Sequence, residues 1–125
     1  MKTTIKALTL LAGTFFAGSA LSAELVCDVY PKGNTTNHSW GNGTSHCDGF
    51  DFSFGNSTSG RFYLKNVTKP IKEVQWSGSA RCSGGTSCGV TVRAYAGASA
   101  SALILYKDGT WERTNTAYAT YETGY

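Results

Sequence analysis

Ala100-Ser101-Ala102-Leu103-Ile104-Leu105-Tyr106-Lys107-Asp108-Gly109-Thr110-Trp111-Glu112-Arg113 is the stretch that decides the fold. Asp-Gly accepts the positive φ angles of a two-residue hairpin turn, so the residues on either side read as antiparallel strands. Ala102, Ile104 and Tyr106 alternate with Leu103 and Leu105, so the strand from Ala100 to Tyr106 is apolar on both faces and belongs in the middle of a sheet. Trp111 to Arg113 pairs back on it.

Working outward, the same grammar repeats. Upstream, Val90, Val92 and Ala94 alternate with Thr91, Arg93 and Tyr95, and Gly97 closes that strand. Before it, Pro70 opens a unit containing Ile71, Val74 and Trp76 and reaching Arg81; the slip in parity between Ile71 and Val74 predicts a bulge or a late strand start. Arg61 to Asn66, and Leu25 to Tyr30 stopped by Pro31-Lys32-Gly33-Asn34, are further strands. Phe50, Phe52 and Phe54 alternate with Asp51 and Ser53, which predicts a strand with three rings on one face, assigned with Trp76 to the core. Downstream, Ala117, Ala119 and Tyr121 alternate with Tyr118, Thr120 and Glu122 in a last strand. Residues 33–45, rich in Gly, Asn, Ser and Thr around Trp40, read as a long surface loop.

From Glu24 onward no segment carries the 3.6-residue period of an amphipathic helix. Seven or eight short antiparallel strands at this spacing predict an all-β domain, an immunoglobulin-like two-sheet β-sandwich. The likeness is one of architecture: Trp40 does lie between Cys27 and Cys47, but in a loop-like segment.

The N-terminus reads differently. Lys2 and Lys6, an apolar stretch from Ala7 to Ala17 and the small-residue tail Gly18 to Ala23 have the order of a secretory signal peptide, so residues 1–23 are a predicted leader and 24–125 the single domain. An apolar run of about 11 residues falls short of the ~20 that a spanning helix needs. Neither membrane insertion nor a lipid anchor is expected, and the predicted location is secreted, extracellular or periplasmic. The leader contains two of the 11 basic residues and none of the 8 acidic ones, so its removal lowers the formal charge from +3 to +1. With the remaining cations scattered and Arg61, Lys65, Lys69 and Lys72 the only loose cluster, nucleic-acid binding is not expected.

Cys27, Cys47, Cys82 and Cys88 all follow the leader, and export makes two disulfides the natural reading. Four cysteines allow three pairings. The turn-forming Ser83-Gly84-Gly85-Thr86-Ser87 between Cys82 and Cys88 favours that pair, clamping a hairpin between the strands around it, and leaves Cys27 with Cys47. The spacing does not match a zinc ribbon or finger, and His38 and His46 read as exposed loop histidines. Asp48 and Asp51 around Gly49 offer oxygens to calcium without a calcium motif, so no metal or other cofactor is predicted.

Catalysis has no visible centre: there is no serine elbow, phosphate loop or HExxH, and Glu73, Glu112 and Glu122 read as solvated strand positions. No catalytic residue is assigned and an enzyme is not expected. Five Asn-x-Ser/Thr sequons, at Asn34, Asn37, Asn42, Asn56 and Asn66, follow from Asn- and Thr-rich loops behind a leader of bacterial character. The aromatic content is the strongest functional signal. Trp40 in its polar loop, Trp111 beside a hairpin turn, and the series Tyr118, Tyr121 and Tyr125 are hard to bury together; Trp40, Trp111, Tyr118 and Tyr121 are the predicted ligand-binding residues. Flat rings among Asn, Thr and Ser stack on sugar faces or on an extracellular protein. The expected function is therefore non-catalytic binding of carbohydrate or a cell-surface partner. The alternatives are an inhibitor or effector presenting the Cys82 to Cys88 loop, which carries no large anchor side chain, and a structural subunit of a surface assembly.

Overall fold

The computed structural model describes residues 22–32 and 38–124. The leader up to residue 21, the sequons at Asn34 and Asn37, and Tyr125 lie outside them. Nine strands occur among the described residues: β1 (Glu24–Tyr30), β2 (His38–Trp40), β3 (His46–Asp51), β4 (Ser57–Lys65), β5 (Ile71–Gly78), β6 (Ser87–Arg93), β7 (Ala98–Tyr106), β8 (Trp111–Arg113) and β9 (Ala117–Thr123). Among these residues no helix is long and apolar enough to cross a membrane.

The strands make two sheets packed as a sandwich, one of order β1-β4-β6 and one of order β2-β3-β9-β7-β5, with β8 also paired to β7. This is the predicted all-β class. The predicted central strand is β7, which pairs with β5, β8 and β9. The hairpin turn falls at Asp108-Gly109, with Gly109 at φ 89°, and the parity slip appears as a register shift between Ile71 and Glu73. Antiparallel pairing fails at one place: β3 runs parallel to β9. Those strands are joined by most of the domain, so no tight turn forces them to run in opposite directions.

The core lies between the sheets and is asymmetric. Leu25, Val29, Phe62 and Val92 enter from the small sheet, while the large sheet contributes mostly Ala100, Ala117 and Ala119 with one large ring, Tyr121. Small residues facing large ones let the layers interdigitate. Truncating the fully buried Phe62 to Ala would cost about 3–5 kcal/mol.

Both predicted disulfides are present, which accords with an oxidising compartment. Cys27–Cys47 joins β1 to β3 and so ties sheet to sheet across a separation of 20 residues. Loop-closure entropy assigns it about 3 kcal/mol, against about 2 for Cys82–Cys88 across 6. Cys82–Cys88 does not clamp a hairpin, because β5 and β6 belong to different sheets. The partner of β5 is β7, paired from Ile71↔Tyr106 to Gly78↔Ala100. The buried Ala80 then carries the chain through the core to β6. The disulfide closes that crossing loop, where the Trp76 indole donates to the Gly84 carbonyl at 3.0 Å. Trp76 itself is half-buried against the core, as expected of it.

The phenylalanine reading needs correction. β3 ends at Asp51, Phe50 is only half-buried, and Phe52 and Phe54 are exposed. The inward positions are Cys47, Gly49 and Asp51, so the pattern is the reverse of the predicted one. A buried carboxylate is tolerable here because donors surround it. Asp51 accepts from the Lys32 and Ser53 amides (2.6 and 2.9 Å), the Ser53 hydroxyl (2.7 Å) and the Tyr121 hydroxyl. Burial pushes this carboxyl up, but the bonds from Ser53, Tyr121 and Lys32 outweigh it and hold it below the usual carboxylate range.

Candidate functional site

Alternation along the strands sorts the aromatic residues between core and surface. On β9, Ala117, Ala119, Tyr121 and Thr123 point inward, and Tyr118, Thr120 and Glu122 point outward. On β3, His46, Asp48 and Phe50 take the outward positions. The parallel register sets His46 beside Tyr118, Asp48 beside Thr120 and Phe50 beside Glu122. β2 adds Trp40 beside Asp48 and His38 beside Phe50. The outer face of β2-β3-β9 is thus a platform of aromatic rings with a polar centre.

Its pieces contact one another. His38 stacks on Trp40 with ring centroids 5.4 Å apart, and His46 lies against Tyr118 at 5.0 Å. Between the two pairs the Thr120 hydroxyl donates to the Asp48 carboxylate. Trp40 remains 55% exposed and Tyr118 45%, so in each case a large ring area faces solvent. The backing is rigid: Cys47, disulfide-bonded to Cys27, lies inward between His46 and Asp48. At Gly49 a side chain would collide with Val29, its Cβ falling 2.7 Å from Cγ1, so glycine lets β1 approach closely beneath the platform.

Trp111 belongs to the same outer face at its far end. It opposes Leu105, which opposes Glu73; in the next row Arg113, Leu103 and Gln75 line up. Tyr118 opposes Ser99 on β7, and from Ser99 to Leu105 along the strand is roughly 20 Å. Trp111 is 62% exposed, but its neighbours are leucines, unlike those of Trp40.

Of the four predicted binding residues, Trp40 and Tyr118 therefore come together, Trp111 stands apart, and Tyr121 is excluded. Tyr121 is completely buried with its hydroxyl 2.8 Å from Asp51, because its odd position on β9 faces the core. Tyr125, the third of that tyrosine series, lies outside the described residues. The sequence reading missed His38, His46, Asp48 and Thr120. The histidines are on strands, not in a loop, and the pairing of His46-x-Asp48 with Tyr118-x-Thr120 comes from a parallel register between distant strands, which leaves no local pattern. Asp48 and Asp51 face opposite sides of β3 and do not converge on one ion. Among the described residues no group of three or more His, Cys, Asp or Glu is placed to hold a metal.

The chain matches no family model, no curated protein and no solved structure.

Proposed function

We propose that the domain is a non-catalytic, exported binding module whose β2-β3-β9 face holds a glycan. The supporting observation is that Trp40 and Tyr118 offer exposed rings on one rigid sheet face, with Asp48, Thr120, His38 and His46 between and beside them. Rings stack on the apolar faces of sugars, and the polar groups between them exchange hydrogen bonds with hydroxyls. Retention on immobilised polysaccharides tests this directly. The wild type should be retained by at least one glycan, and Trp40→Ala and Tyr118→Ala should each elute early. A wild type that binds none, or variants retained as well as wild type, would overturn the proposal.

A second reading applies to Trp111. With Leu103 and Leu105 it forms an apolar strip flanked by Glu73 and Arg113, a composition closer to a protein contact than to a sugar platform. A structural subunit would use it for assembly, and sedimentation of wild type and Trp111→Ala separates the two roles. Concentration-dependent association lost in the variant favours assembly; a monomer in both does not.

A further inference from the structure

At the end of the sandwich where β9 runs out, an open cavity of about 370 Å³ is lined by Phe54, Asn56, Arg93, Tyr95 and Thr123. It is distinct from the platform: Thr123 is three residues beyond Thr120 on β9, roughly 10 Å along the strand, and points to the opposite side of the sheet. Several local departures from ordinary structure meet in its wall. Phe54 and Tyr95 are two of the three non-glycine residues at positive φ among those described, at 57° and 63°. For bulky side chains this region is rarely populated and strained. The hydroxyl of Thr123 is buried without a hydrogen-bond partner among the described residues, which is itself unusual.

The surroundings hold the strained residues in place. Tyr95 is pinned at both ends, its amide donating to the Tyr121 carbonyl at 2.9 Å and its hydroxyl to the Thr123 carbonyl. Phe54 follows Ser53, whose amide and hydroxyl are tied to Asp51, and the Gly55 amide donates to the Ser53 hydroxyl at 3.2 Å. The Ala94 amide bonds the Asn56 carbonyl at 2.8 Å and fastens the two walls together. Despite this anchoring the side chains remain 63% and 62% exposed. Backbone strain of this kind clusters at binding and catalytic sites. Arg93, on the same wall, supplies a cation that, like most of the basic residues, has no ion pair among the described residues.

We infer that this cavity is a second binding site, taking a sugar unit that carries a carboxylate. The rings of Phe54 and Tyr95 meet the apolar face of the sugar and Arg93 meets its carboxylate through charge-assisted hydrogen bonds. A neutral sugar leaves Arg93 unused, and a bare anion leaves the rings unused. The volume sits at the small end of the range for ligand pockets, which fits one or two sugar rings.

The test is a titration of the intact domain, followed by backbone-amide NMR, with a glucuronate-containing tetrasaccharide, with glucose and with acetate. The tetrasaccharide should shift the amides of Phe54, Arg93 and Tyr95 in a saturable way, with glucose and acetate each at least about tenfold weaker. Arg93→Gln should weaken binding about tenfold. Phe54→Gly should weaken it several-fold while leaving the thermal midpoint unchanged or higher, because glycine relieves the positive φ. Trp40→Ala should leave these shifts intact, so failure here is distinguishable from failure of the platform. Acetate or glucose acting as strongly as the tetrasaccharide, or Arg93→Gln binding like wild type, would overturn the site.

Discussion

The outer faces of the two sheets are built from similar residues and arranged to opposite effect. On the small sheet Asp28 accepts from the hydroxyls of Tyr30 and Tyr63 and from Arg61 Nε, all at 3.2 Å, and the Arg61 guanidinium lies over the Tyr63 ring, 4.2 Å from its centroid. Burial and the Asp28 charge raise both tyrosines above their ordinary value. That face is satisfied by its own partners. On the large sheet, Trp40 and Tyr118 contact histidines side by side and keep much of their area in solvent. Aromatic content alone therefore does not identify a binding surface; what separates the two faces is that the Tyr30 and Tyr63 hydroxyls are tied to Asp28, whereas the Trp40 indole N–H and the Tyr118 hydroxyl have no hydrogen-bond partner among the described residues.

Among substitutions that bear on these two faces, the largest effect is expected beneath the exposed one, at Asp51. Asp51→Asn replaces an acceptor oxygen with a donor amide opposite the Tyr121 hydroxyl, and should destabilise the domain by about 2–4 kcal/mol in urea unfolding. Tyr121→Phe removes only one donor and should cost about 1 kcal/mol. The same carboxyl sets a pH dependence. Its folded pKa lies below the ordinary value, so in acid the unfolded chain takes up the proton first. The stabilisation is complete above about pH 4 and is lost as pH falls toward the folded pKa. Unfolding curves of the wild type should steepen their loss of stability below that point, and those of Asp51→Asn should do so less, the remainder coming from carboxylates such as Asp108 whose pKa is also held low. Equal acid sensitivity in both would remove Asp51 from this role.

Next in size is the satisfied face. Asp28→Ala leaves two tyrosine hydroxyls and Arg61 without their shared acceptor, but Arg61 is 44% exposed and readily hydrated. Only about 1–2 kcal/mol should be lost. Glycan retention should be unchanged, and a loss of retention would show that the two faces are not independent.

How much of this was legible depended on whether the signal was local. The Asp108-Gly109 turn, the two-faced apolarity of β7, the short Cys82 to Cys88 loop and the bulge after Ile71 are all written within a few residues, and each appears in the fold. The sheet crossing at Ala80 is not. It depends on β5 finding β7 as a better-matched partner than β6, a long-range competition that the intervening turn residues conceal. The phenylalanine alternation misled for a related reason: Phe50, Phe52 and Phe54 share a parity, yet Asp51 takes the inward place because Lys32, Ser53 and Tyr121 converge on it from elsewhere in the chain. Trp40 and Tyr118 were legible as exposed rings. That they share a platform was not, since β2, β3 and β9 meet only through tertiary pairing.

The smallest effect on stability, and the sharpest contrast with the satisfied face, belongs to the platform itself. Trp40 and Tyr118 each lose one ring contact on truncation, to His38 and to His46 respectively, and neither fills the core. Trp40→Ala and Tyr118→Ala should each cost about 0.5–1 kcal/mol, and the double variant close to the sum, because the two ring pairs share no partner. Glycan affinity should behave differently. If one chain spans both rings, removing either already forfeits the geometry that the pair provides, and the second substitution adds less than the first. Additive stability with sub-additive binding is the signature of a surface kept for a ligand. Rings retained only for packing would leave binding untouched.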